Sequence, residues 1–227
     1  MKQYILFVAF MAVVCGPPFV LGQDEESKPP LGFFVTSTVH SGDLGGLAGA
    51  DAECQRLASD VGADGRVWRA YLSTHGTRTQ PAVNARDRIG NGPWHNANGT
   101  LIAGSLADLH GDIQRDSNLI HRDTALTEKG ELVNGRVRPE GTNNEHDILT
   151  GSDSHGRAFP PGLSSRSDLT CSNWTSDSSD VHAMIGHHDR LSGWNTSWNS
   201  SHATAGCSLE DFRSTGGAGR FYCFVAE

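Results

Sequence analysis

The chain has 227 residues and a formal net charge of −8, with 18 basic side chains against 26 acidic ones. An acidic balance of this kind argues against nucleic acid, heparin-like polyanions and anionic membrane surfaces as main partners, since each would repel it. The length suits a single domain with a sizeable core.

The opening run, MKQYILFVAFMAVVCGPPFVLGQ, carries Lys2 near its start, an apolar centre, and the small residues Val20 and Gly22 at its end. It reads as a secretory signal peptide over residues 1–22. The run is broken at Cys15-Gly16-Pro17-Pro18 and is short for a membrane span, and no other stretch could cross a bilayer. Removing it takes away Lys2, Cys15 and no acid, which leaves about 205 residues at a net charge of −9. The expected location is therefore outside the cytoplasm, secreted into the extracellular space or a periplasm. Cys54, Cys171, Cys207 and Cys223 remain. An even number in an exported chain implies two disulfides, and counting alone leaves three pairings open.

Residues 23–31, QDEESKPPL, are a polar, proline-containing linker ahead of a domain spanning 32–227. GFFVTST is a strand candidate. In residues 50–61, Ala50, Cys54, Leu57, Ala58 and Val61 recur at helical spacing, with polar residues on the other face and Gly62 placed to end the helix. Residues 66–73 alternate as a strand. Residues 76–170 are rich in Gly, Asn, Asp and Ser and promise short elements, including a hairpin at Asn134-Gly135. NWTS and HAMIGHHDR are short strand candidates. GRFYCFVAE is the clearest late strand, with Phe221, Cys223 and Val225 on one face and Tyr222 and Phe224 on the other. The pattern is α+β, with long irregular loops in the middle.

Three stretches resemble the endostatin domains of collagens XV and XVIII, extracellular-matrix proteins. SGDLGGLAGADAECQRLASDVGADGRVWRAYLSTHG is similar to their first helix and following strand. LTGSDSHGRAFPPGLSSRSDLTCSNWTS is similar to their Gly-Ser-Asp-x-x-Gly-Arg segment and Cys-x-x-Trp. SHATAGCSLEDFRSTGGAGRFYCFVAE is similar to their closing Cys…Cys strand, with about eight extra residues between the cysteines. The middle, about 77–145, does not match in detail. The resemblance implies a C-type-lectin-like α+β fold and nested disulfides, Cys54 with Cys223 and Cys171 with Cys207. It also implies non-catalytic binding of an extracellular protein or glycan through the long loops. The family's zinc site does not carry over, because its first-strand histidine falls at about Gly32 and the preceding QDEESKPP has none. Its heparin binding does not carry over either, because the arginines here are dispersed.

The remaining chemistry is sparse. The Glu-Pro-Asn and Gln-Pro-Asp tripeptides of calcium lectins are absent, and in SWNSSH Ser200 stands where an acid is needed. Trp194, Trp198 and Asn199 are candidates to stack on and hydrogen-bond a sugar; the alternative is that one or both tryptophans belong to the core. The GHHDR stretch makes His187, His188 and Asp189 candidate metal ligands, for zinc or calcium. Adjacent strand histidines face opposite ways, however, so no cofactor is the base expectation. No G-x-S-x-G, H-E-x-x-H or G-x-x-x-x-G-K-[ST] occurs, and no catalytic residue is assigned. The alternative to a binding module is an enzyme, such as a metal-dependent hydrolase. It should bring at least two of His110, His121, His146, His187, His188 and His202 together with a carboxylate in one pocket. A binding module should instead show an exposed aromatic patch and no deep polar cleft. Asn98, Asn173, Asn195 and Asn199 head glycosylation sequons.

Overall fold

The computed structural model describes residues 27–114, 117–160, 168–193 and 195–227. The expected signal peptide and residues 23–26 of the linker lie outside them. Strand β1 (Phe33–Val35) leads to helix α1 (Gly46–Asp60). The helix starts ahead of its apolar stripe because Gly45 and Gly46, both at φ 72°, let the chain turn sharply into the first turn. Ala50, Cys54, Leu57 and Ala58 are buried as the spacing predicts. Val61 lies past the helix end and is exposed, and Gly62 takes the left-handed conformation (φ 74°) that stops the helix.

Strand β2 (Trp68–Ala70) follows, then a 3-10 turn (Ala85–Arg88), the pair β3 (Trp94–His95) and β4 (Leu101–Ala103), and helix α2 (Leu106–His110). Strand β5 (Asp147–Leu149), turn α3 (Cys171–Trp174), β6 (Met184–His187), β7 (His202–Ala203), α4 (Leu209–Thr215) and β8 (Gly217–Val225) complete the order. None of the described helices is long and apolar enough to cross a membrane.

The main sheet runs β1-β8-β5-β6-β7, with β2 also paired to β8. The first half of β8 pairs in parallel with β5, while its second half lies between antiparallel β1 and β2. Its alternation is the predicted one, but both faces are buried. Phe221 and Cys223 join Phe34, Cys54, Leu57, Trp68 and Trp174 under α1. Tyr222 and Phe224 join Phe33, Tyr71, Trp94, Ile102 and Trp198 on the other side. A strand covered on both sides reads as a continuous apolar run, which is how FYCFV looks in the sequence.

Two disulfides tie this core: Cys54–Cys223, joining α1 to β8 (Cα–Cα 5.6 Å), and Cys171–Cys207 (Cα–Cα 5.8 Å). Closing loops of 169 and 36 residues restricts the unfolded chain by up to about 5 and 4 kcal/mol in the chain-entropy account.

Two local expectations are corrected. NWTS is not a strand: Cys171, Ser172, Asn173 and Trp174 all have φ between 48° and 66°, one left-handed turn. It is held by the Asp168 carboxylate, which accepts from the Thr170 and Ser172 N–H groups, and by the Trp174 indole, which donates to Ser73 O. Asn134-Gly135 does not turn a hairpin. Leu126 instead bridges Leu132 around Gly130, and Gly135 lies against the Asp189 carboxylate, where a Cβ would approach Oδ2 to 2.5 Å.

Candidate metal centre

Sheet pairing carries chemistry from distant parts of the chain to one point. In the β5–β6 register Asp147 stands opposite His187, so the two side chains share a face. In β6–β7, Ile185 stands opposite His202, which puts His202 diagonal to His187. Between Asp147 and Ile148 the β5–β8 register shifts, and this irregularity lets the consecutive residues His146 and Asp147 turn toward the same spot. Gly186 completes the arrangement. A Cβ there would lie 1.9 Å from Trp198 O, so glycine alone lets the 195–201 loop lie on β6.

The result is a buried cluster. Asp147 Oδ1 is 3.1 Å from His146 Nε2 and 3.3 Å from His187 Nε2, and all three residues are about 2 % exposed. These approaches lack the alignment of hydrogen bonds. Both Asp147 oxygens and His187 Nε2 are buried without a hydrogen-bond partner. Such orphaned atoms are rare inside proteins, because each carries an unrecovered desolvation cost. His202 Nε2 stands 3.7 Å from the same oxygen, on a half-exposed side chain.

The far side of each ring is anchored. His146 Nδ1 donates to Asp189 Oδ1 (3.1 Å), and His187 Nδ1 to Asn195 O (3.1 Å). Asp189 is itself held by the Arg136 and Leu191 N–H groups. Burial opposes its charge, but His146 and those two N–H groups outweigh it and keep the carboxyl well below the usual range. Burial likewise opposes a charge on His146, yet Asp147 and Asp189 together raise it to about 9. Burial also works against the Asp147 carboxylate, and His146 and His187 hold it ionised.

One anchored nitrogen and one nitrogen aimed at a common point is the arrangement of metal-bound histidines, and two imidazoles with a carboxylate form a donor set for zinc and its neighbours. Calcium, which needs six to eight oxygens, does not fit. The rings of His146 and His187 stack at 4.1 Å and 8°. Parallel rings cannot both aim in-plane lone pairs at one ion, so binding requires one of them to turn.

Of the candidates read from GHHDR, only His187 points into the cluster. His188, fully buried, has neither nitrogen in a well-formed hydrogen bond; burial lowers it to about 4, against the opposing pull of Asp189 and the Asn134 backbone. Asp189 reaches the site through His146. Trp194 lies outside the described residues. Trp198 is a core residue, packed at tilted and edge-on angles among Tyr71, His110 and Tyr222, and Asn199 is fully buried, donating to Tyr71 Oη (3.0 Å). Neither forms an exposed sugar platform, although both line a polar cleft of about 360 Å³ with His110, His155 and Arg190.

No aromatic side chain stands among the exposed large apolar residues of the described chain. Three of the six named histidines do meet a carboxylate, since His146, His187 and His202 converge on Asp147. Of the sequon asparagines, Asn98 is exposed and Asn199 is inaccessible. His146, Asp147 and His202 carry no motif, since only strand register brings them together.

No protein-family model matches the chain, and no curated protein matches it.

Proposed function

We propose that this chain is an exported, non-catalytic binding domain that holds one zinc-class ion on His146, Asp147 and His187. The observation that carries this reading is the buried Asp147 carboxylate, unpartnered at both oxygens and faced by two histidine Nε2 atoms. An ion there would give the Asp147 carboxylate and His187 Nε2 the partners that burial has taken from them. The two disulfides support a site of action outside the cytoplasm. An endostatin-type, C-type-lectin-like architecture is supported by the helix-to-last-strand disulfide and by β8 lying between β1 and β2. In this reading the partner is an extracellular protein or glycan that meets the loops, and the ion keeps the sheet edge beneath them in one arrangement.

The test is direct. Chelator-stripped protein should bind one zinc ion per chain by calorimetry and elemental analysis, and Asp147→Ala should abolish it. A wild-type chain that binds no zinc refutes the reading.

A second reading, a metal-dependent hydrolase, is favoured by the same convergence of histidines on a carboxylate. It requires a coordination position left open to water and substrate.

A further inference from the structure

Resting on the metal reading above, the geometry points to His202 as a fourth ligand, so that the site is a closed three-histidine, one-aspartate tetrahedron that clips the 195–202 segment onto the sheet. Four observations converge on this assignment.

First, the distances to Asp147 fit. Ligand atoms of a tetrahedral zinc site with bonds of about 2.0–2.1 Å lie about 3.3 Å apart, whereas octahedral neighbours lie about 2.9 Å apart. The three Nε2-to-Asp147 distances are 3.1, 3.3 and 3.7 Å.

Second, His202 is anchored as its companions are. Its Nδ1 lies 3.1 Å from Ala203 O, which places the proton on that nitrogen and leaves the Nε2 lone pair facing Asp147.

Third, the ring planes are suitable. His187 and His202 cross at 64° with centroids 5.1 Å apart, so their in-plane lone pairs can meet at one ion. One ligand atom each from His146, Asp147 and His187 already lie within 4.8 Å of one another, and His202, 3.7 Å from Asp147, completes the set when its half-exposed ring turns inward.

Fourth, the charges balance. A divalent cation with Asp147 and with Asp189 behind His146 sums to zero, so a buried site needs no further counter-charge.

The consequence reaches the cleft. His187 holds the segment from one end, its N–H donating to Ser197 O and its ring to Asn195 O, while His202 closes the other end. Thr196, Ser197, Trp198 and Asn199 between them form one wall of the 360 Å³ cleft. With four protein ligands no coordination position remains for water, so the ion is structural and it sets that wall.

Cobalt(II) as a spectroscopic stand-in for zinc separates the possibilities. The wild-type chain should give the intense visible bands of four-coordinate cobalt. His202→Ala, a change at a half-exposed site that leaves the core untouched, should weaken cobalt and zinc binding by roughly 100-fold or more and shift the spectrum to the weak bands of higher coordination, with water filling the vacated position. Hydrogen exchange should show amides 195–201 protected by zinc in the wild type and not in the variant. Wild-type binding with an unchanged spectrum and affinity in His202→Ala overturns the four-ligand assignment while leaving the metal reading intact. No cobalt or zinc binding by the wild type overturns both.

Discussion

In the seam around Tyr71, His110 Nδ1 faces Leu106 O at 2.9 Å, Tyr71 Oη meets His110 Nε2 at 2.8 Å, and Asn199 donates to that same hydroxyl at 3.0 Å. Each polar atom in that chain has a partner within the protein. Around Asp147 the residue types and the depth are similar, yet both carboxylate oxygens and His187 Nε2 remain unpartnered. A buried histidine is therefore uninformative by itself. What separates a structural seam from a ligand site is whether the hydrogen bonds close without help.

The seam should respond to acid, and this is the largest effect expected. Burial lowers His110 to about 4, against 6.5 in the unfolded chain. Above pH 6.5 the ring is neutral in both states and contributes no pH dependence. As pH falls from 6.5 to 4 the unfolded chain takes up the proton and the folded one does not, so stability drops by about 3 kcal/mol. Urea unfolding in chelator at pH 7 and pH 4 should show a loss about 3 kcal/mol smaller in His110→Gln than in wild type, with buried His188 adding the same acid sensitivity to both. An identical slope in the variant would assign the acid sensitivity elsewhere.

The cluster should respond to metal. Zinc at a hundredfold excess over its dissociation constant should stabilise the wild-type chain by about 2.7 kcal/mol. The gain should vanish in Asp147→Asn and persist in His110→Gln, as measured by thermal unfolding with and without zinc. If zinc stabilised Asp147→Asn equally, the ion would be binding at another place.

The sequence makes the seam's frame legible and hides the cluster. Helical spacing placed Cys54 inward, and strand alternation sorted Phe221 and Cys223 from Tyr222 and Phe224, because both patterns are local. The two disulfide partners were implied by a family resemblance, since cysteine counting left three choices. GHHDR is the densest histidine stretch, yet His187 faces Asp147 while His188 is buried away from it. The ligands that join His187 come from residues 146, 147 and 202, and only the β5–β6 and β6–β7 registers bring them near it. Asn134-Gly135 misled because a local turn preference was overridden by its docking against Asp189, whose Oδ2 takes the Arg136 N–H at 2.8 Å. The left-handed Cys171–Trp174 turn has no sequence pattern of its own, being held by Asp168 and by the Trp174 indole.

Tyr71→Phe is the smallest change and separates the two regions most cleanly. The ring stays among Trp198 and Phe224, so the aromatic packing is kept and only the hydroxyl goes. His110 Nε2 then loses its donor, and Asn199 falls back on its longer contacts to Asp153 O and Ser154 O, both 3.3 Å. Leaving one buried acceptor unpaired costs about 1–2 kcal/mol. Because Asn199 lies in the segment that His187 and His202 bracket, a loosened seam could in principle reach the metal. The strand register that fixes Asp147 against His187 does not pass through Tyr71, however, so the zinc-induced gain should match wild type. Equal loss of basal stability and of zinc response in Tyr71→Phe would instead make seam and cluster one cooperative unit.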